Sequence, residues 1–162
     1  MTPAPARPPY GSYAALVGVY SGGLMGAGLA ARLLGRGPRT NTALDFVLLS
    51  AASFKAARVI SRDRVTSFLR EPLVEGTADG GEDEAASGTG MQRALEELVT
   101  CTRCIGTWTA AGLTSTQILA PRFGRLLTWS LASSAASDFL QSAFTALSHK
   151  SNELEGRTRG LM

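Results

Sequence analysis

A chain of 162 residues is long enough for one domain, and its net charge of +3 is modest. The 16 basic residues cluster beside apolar stretches without interleaved aromatics, which is a pattern of membrane topology and not of nucleic-acid binding. A mean hydropathy of +0.07 looks ordinary for a soluble protein, but the average conceals an uneven spread of charge.

Residues 1–11 form a Pro-rich tail, and Tyr10 near its end and Tyr13 just after it sit where an interfacial aromatic belt would begin. The first apolar segment covers about 12–34 and carries no charge from Ser12 to Ala31. Its flank is a poor leader n-region and no small-residue cleavage site follows, so it reads as a retained span. Ala14, Gly18, Gly22, Gly26 and Ala30 recur every four residues. In lipid, small residues let helix backbones approach and gain dispersion contacts. The stripe therefore suits packing within the chain, with Gly106, Ala110 and Thr114 as a matching surface, or a seam between copies in a homo-oligomer.

The second segment, about 43–60, is the weakest span, because Asp45 opens it and Lys55 and Arg58 lie toward its end. Lysine and arginine near a helix end can snorkel to the interface. Residues 74–90 are Gly-rich and acidic, which predicts a flexible loop. Thr89 and Gln92 have capping-box spacing, so a short surface helix is expected there, with Met91, Leu95, Leu98 and Val99 on its apolar face. The third and fourth segments cover about 104–120 and 125–147, with a tight turn at Pro121-Arg122 and a polar tail over 148–162.

A bilayer requires roughly 20 apolar residues per helix, and soluble helices carry a charged face about every turn. Three long windows lack that face. The expected fold is all-α: a polytopic membrane bundle of four transmembrane helices over residues 12–147, plus a short cytoplasmic surface helix. With four spans, eleven Lys and Arg fall on the side of the termini and five on the other. The positive-inside rule then places both termini, the 74–90 loop and the cysteines in the cytoplasm. The lipid bilayer is the expected partner, and nucleic acid is not.

Two constellations could carry chemistry. Cys101-Thr-Arg-Cys104 has the spacing of a redox dithiol and of half a zinc site. A zinc site takes four ligands, and His149 is the sole histidine, so zinc would have to be shared between chains; otherwise no cofactor is expected. The thiols are structural, redox-active or inter-chain ligands. Asp138 is an acid in the middle of the fourth segment, where burial is expensive. Lys55 lies at matching depth, about 18–20 Å from the far face at 1.5 Å per residue, so the two can form an ion-pair clasp. Gly18, Gly22, Gly26, Gly106 and Trp108 are candidate helix-packing residues. No P-loop, GxSxG, HExxH or GxGxxG motif is present, and no catalytic residue is assigned.

Ala52-Ser-Phe-Lys-Ala-Ala-Arg-Val-Ile, then Arg62-Asp-Arg-Val-Thr-Ser-Phe-Leu-Arg-Glu-Pro, then Glu97-Leu-Val-Thr-Cys-Thr-Arg-Cys-Ile-Gly-Thr-Trp resembles the bacterial domain-of-unknown-function family 1360. The resemblance covers about 43–147 and leaves the Gly-stripe helix outside. It implies a small bacterial integral membrane protein, in a family that includes a sporulation-associated member, and no established activity. The sequence therefore points to a non-enzymatic membrane protein, an oligomeric or accessory component, with a membrane thiol-redox or thiolate-metal protein as the alternative.

Overall fold

The computed structural model describes residues 8–36, 42–66 and 90–159. Among these, five α-helices and one short 3-10 turn occur and no strand: α1 (Tyr10–Leu33), α2 (Ala43–Arg62), the turn Arg64–Thr66, α3 (Gly90–Thr100), α4 (Thr102–Leu119) and α5 (Pro121–Arg159). The expected capping residue Thr89, and the 74–90 loop up to residue 89, lie outside the described residues.

Local chemistry sets the helix ends. α1 stops at Gly35, whose φ of +63° is a left-handed conformation that glycine adopts without steric cost. There Arg36 N–H bonds Ala31 O at 2.8 Å and Gly35 N–H bonds Arg32 O at 3.1 Å, closing a Schellman motif. α2 begins with a reciprocal capping box: Thr42 Oγ1 accepts from Asp45 N–H, and the Asp45 carboxylate accepts from Thr42 N–H. Asp45 is thus a cap, and its spacing from Thr42 carried the signal.

The break between α4 and α5 is a single residue, Ala120, held out of helical geometry by the proline that follows it. Pro121 then starts α5, where its missing N–H costs nothing. The hairpin is so tight that a Cβ on Gly124 would stand 2.6 Å from the Gln117 backbone. α5 then runs for 39 residues without interruption. The sequence suggested a helix over 125–147 with a polar tail; instead the tail continues the helix to Arg159, because its residues are ordinary helix formers and no Gly or Pro intervenes before Gly156.

Pairings across the bundle fix the directions. Ser61 meets Thr102, Ala57 meets Gly106 and Ser53 meets Thr109, so α2 and α4 are antiparallel. Leu48 and Leu49 share a cluster with Leu127 and Leu131, and Lys55 meets Asp138, so α2 and α5 run parallel. Tyr13 meets α3 at Glu97 and Tyr20 meets Trp108, which sets α1 parallel to α4. The result is an up-down bundle with α3 lying at the end where α1 begins.

Its interior is made of small side chains. The buried apolar residues are Ala31, Ala52, Ala57, Ala94, Leu113, Ala132 and Ala135, with Ser53, Ser61 and Thr128 among the buried polar ones. Leu113 is buried and Leu48, Leu49, Leu127 and Leu131 pack against its cluster, but many large apolar residues point outward: Val17, Met25 and Leu33 on α1, Leu44 and Phe46 on α2, and Leu126, Phe139, Leu140, Phe144 and Leu147 on α5 are all exposed.

By length and composition, α1 is the only helix among the described residues that is apolar enough to cross a membrane. The expectation of four such helices is not met by α2, α4 and α5. α2 holds Asp45, Lys55, Arg58 and Arg62 within 20 residues, and α4 and α5 are diluted by serine, threonine and glutamine.

Candidate functional site

Three groupings of polar side chains interrupt this apolar bundle. The first lies between α2 and α5. Lys55 Nζ stands 2.7 Å from Asp138 Oδ2, beside a stacked Phe54–Phe139 pair with ring centroids 6.0 Å apart. The ammonium side is mostly covered, at 16% exposure, whereas the Asp138 side chain is 45% exposed. Arg58, Asp63, Gln141 and Ser142 extend the same wall into a groove of about 390 Å³. Arg58 lies one turn beyond Lys55 on α2, and Gln141 and Ser142 lie one turn beyond Asp138 on α5, as parallel helices require.

The second grouping ties α1 to α3. The Tyr13 hydroxyl donates to the Glu97 carboxylate, which also accepts from Arg93 Nε at 2.9 Å. Burial works against the charge on Glu97, but these two donors outweigh it and hold its carboxyl below the ordinary range. The sequence marked Tyr13 as a belt residue and left Glu97 off the apolar face of the surface helix. Nothing in a linear reading links two residues 84 positions apart. α3 also departs from its expected polarity: Ala94 and Glu96 are buried while Met91 is exposed, because α3 packs against α1, α4 and α2 as well as facing outward.

The third grouping is the cysteine pair. Cys101 is the N-cap of α4, in extended backbone geometry, and its sulfur accepts the Cys104 N–H at 3.3 Å. The Cys104 sulfur lies 2.6 Å from it, and both cysteines are free thiols. Burial pushes the Cys101 thiol up, yet hydrogen bonds from Cys104 and Arg103 and the nearby Arg103 charge bring it below its ordinary value. Among the described residues no group of three His, Cys, Asp or Glu side chains is arranged to hold a metal ion.

The packing residues divide. A Cβ on Gly106 would sit 4.0 Å from the Ala57 Cβ, so Gly106 serves the α2–α4 contact and not a match to α1. Trp108 packs edge-on to Tyr20, with centroids 5.3 Å apart. Gly18, Gly22 and Gly26 touch nothing: a Cβ added to any of them would meet open space. The covered residues of α1 are Ser12, Tyr13, Leu16, Tyr20, Ala27, Ala30 and Ala31, so of the stripe Ala14, Gly18, Gly22 and Gly26 face outward and Ala30, at its end, turns toward the bundle. Among the described residues, no partner within the chain lies against the three glycines of this stripe.

With this geometry in hand, the chain can be compared with known proteins. The model of a family described as "Protein of unknown function (DUF1360)" matches residues 48–144. The chain belongs to this family. The "Sporulation protein YjcA" of Bacillus subtilis (strain 168) is 35% identical over 95 residues, covering 55% of this chain and 80% of that protein. No solved structure matches. The family segment takes in Lys55, Asp138, both cysteines, Gly106 and Trp108, and begins after α1, so the Gly stripe lies outside it.

Proposed function

We propose that this chain is an integral protein of the bacterial cytoplasmic membrane, spanning it with α1, α2, α4 and the first part of α5, and serving as a non-enzymatic accessory component. One observation carries the reading: apart from the leucines around Leu113, alanine, serine and threonine fill the interior, while most of the leucine, phenylalanine and valine side chains outside that cluster are exposed. Water would drive the opposite arrangement, and lipid, as apolar as leucine, does not.

The hydroxyls that lower the apolar content of α2, α4 and α5 are consistent with a span. Ser50, Ser53, Thr114, Thr116 and Thr145 each donate to a carbonyl one turn back on their own helix, at 2.7–2.9 Å. A hydroxyl bonded in this way presents little unmet polarity to a bilayer. No buried side-chain nitrogen or oxygen among the described residues lacks a partner. The eleven-to-five division of Lys and Arg supports cytoplasmic termini, with α3 and the cysteines on the same side. The name of the sporulation relative suggests that the accessory role belongs to spore formation.

The test is alkaline carbonate extraction of membranes from cells producing the full chain, with impermeant thiol labelling of single cysteines placed at Ser148 and at Thr40. The protein should stay with the membranes, with both positions on opposite sides. Release into the soluble fraction, or labelling of both positions from the same side, would overturn the reading.

A further inference from the structure

The accessory role proposed above makes no use of the cysteine pair, and the surroundings of its two sulfurs differ. Cys101 and Cys104 are the N-cap and N3 positions of α4, one turn apart, so the helix itself brings the sulfurs together. Cys101 Sγ accepts the Cys104 backbone N–H at 3.3 Å, and the Cys104 sulfur lies directly against it. A sulfur that caps a helix N-terminus and accepts a backbone N–H is the one better placed to carry negative charge, and Cys104 is its neighbour. Arg103, exposed between them in sequence, adds a cation. Cys104 is exposed and Cys101 partly so, leaving both open to a reagent. Among the described residues, no third or fourth ligand of the kind zinc takes is grouped with the pair.

We infer that Cys101 and Cys104 form a thiol–disulfide exchange centre, in which Cys101 attacks an external disulfide and Cys104 resolves the product. This goes beyond the membrane assignment and stands whether or not the helices lie in lipid. In the first step the Cys101 thiolate attacks one sulfur of RS–SR′; a Cys101–SR bond forms, the S–S bond breaks, and R′S⁻ leaves. R′S⁻ takes the proton of Cys104. The Cys104 thiolate then attacks Cys101 Sγ, expelling RS⁻, which is protonated from solvent. Two electrons pass to the external disulfide, giving two thiols and a Cys101–Cys104 disulfide. The reverse sequence restores the dithiol.

The experiment uses the full chain, purified in detergent and reduced, with oxidised glutathione as the probe. Thiols are counted by alkylation and adducts identified by mass spectrometry. In the native chain both thiols should disappear together, leaving a monomer without adduct. Cys104→Ser should accumulate a glutathione adduct on Cys101. Cys101→Ser, which keeps a good helix cap, should acquire its adduct on Cys104 at least about tenfold more slowly at pH 7. Equal rates for the two variants, or persistence of both native thiols, would overturn the inference. So would protection relieved only by a chelator, which would assign the pair to a metal shared between copies. Carbonate extraction of the same variants should be unchanged, so loss of exchange and loss of membrane residence are read separately.

Discussion

α1 and the α2–α4–α5 trio satisfy opposite criteria. α1 is apolar enough to span a bilayer, yet it rests on its neighbours by little more than Tyr13, Tyr20 and the alanines near its end. The trio fails the same composition test and still forms the core, around Ala52, Leu113 and Ala132. Composition scores each residue alone. It penalises a threonine hydroxyl bonded to its own helix, or a lysine facing an aspartate, as heavily as one facing lipid. What the trio buries in polarity it also pairs, and that pairing is visible only between helices.

The sharpest way to break this contrast is to remove one half of a pair. Asp138→Ala leaves the Lys55 ammonium without its 2.7 Å partner. In a bilayer, where water cannot replace the carboxylate, the loss should be about 3–5 kcal/mol, against about 0–1 kcal/mol for a water-exposed pair. Unfolding in lipid nanodiscs should register the larger figure, and Lys55→Ala combined with Asp138→Ala should recover part of it. A double variant no better than either single change would show that the two charges do not depend on each other.

Gly124→Ala probes the trio's close approach. The added methyl meets the Gln117 backbone at 2.6 Å, and backbone cannot rotate away, so the α4–α5 hairpin must spread at a cost of about 1–3 kcal/mol. Thermal unfolding should report it.

Tyr13→Phe tests how α1 is held. Glu97 loses one of its two side-chain donors but keeps Arg93, so the expected cost is about 1 kcal/mol. The same link has a pH signature. The folded-state carboxyl of Glu97 lies below its ordinary value of 4.5, so its contribution is complete above that pH and is lost as pH falls through the lowered folded value. Acidification should therefore loosen α1 from α3 in the native chain, and less in Tyr13→Phe, with Trp108 emission as the monitor.

Gly22→Leu should have the smallest effect, within about 0.5 kcal/mol for the monomer, because its Cβ meets nothing. Cross-linking of the same variant in membranes would show whether the stripe faces a second copy. Unchanged cross-linking would remove that role.

Much of this was legible in the sequence where the cause is local or periodic. The charge-poor windows located α1, α4 and much of α5; the CxxC spacing placed the cysteines on one turn; equal depth along two parallel helices nominated Lys55 for Asp138. The capping box at Thr42 and Asp45 is also local, yet in the sequence Asp45 reads only as a charge that weakens the second span. The Tyr13–Glu97 link was not legible, since it depends on how α1 settles against α3. Nor was the inward turn of Glu96, which packing overrode against the apparent apolar face of α3.

The sequence by itself determined that the chain is helical, where its helices break, and which residues could carry charge or thiol chemistry. Those properties follow from backbone sterics, hydrogen bonding within a turn and residue spacing. Only the tertiary structure decided that the Gly stripe of α1 faces away from the bundle and that Gly106 serves Ala57. It also decided that the interior is mostly alanine, serine and threonine around Leu113, while many large apolar residues cover the surface. A helix presents every face to its own sequence, and only its neighbours select the one that is buried.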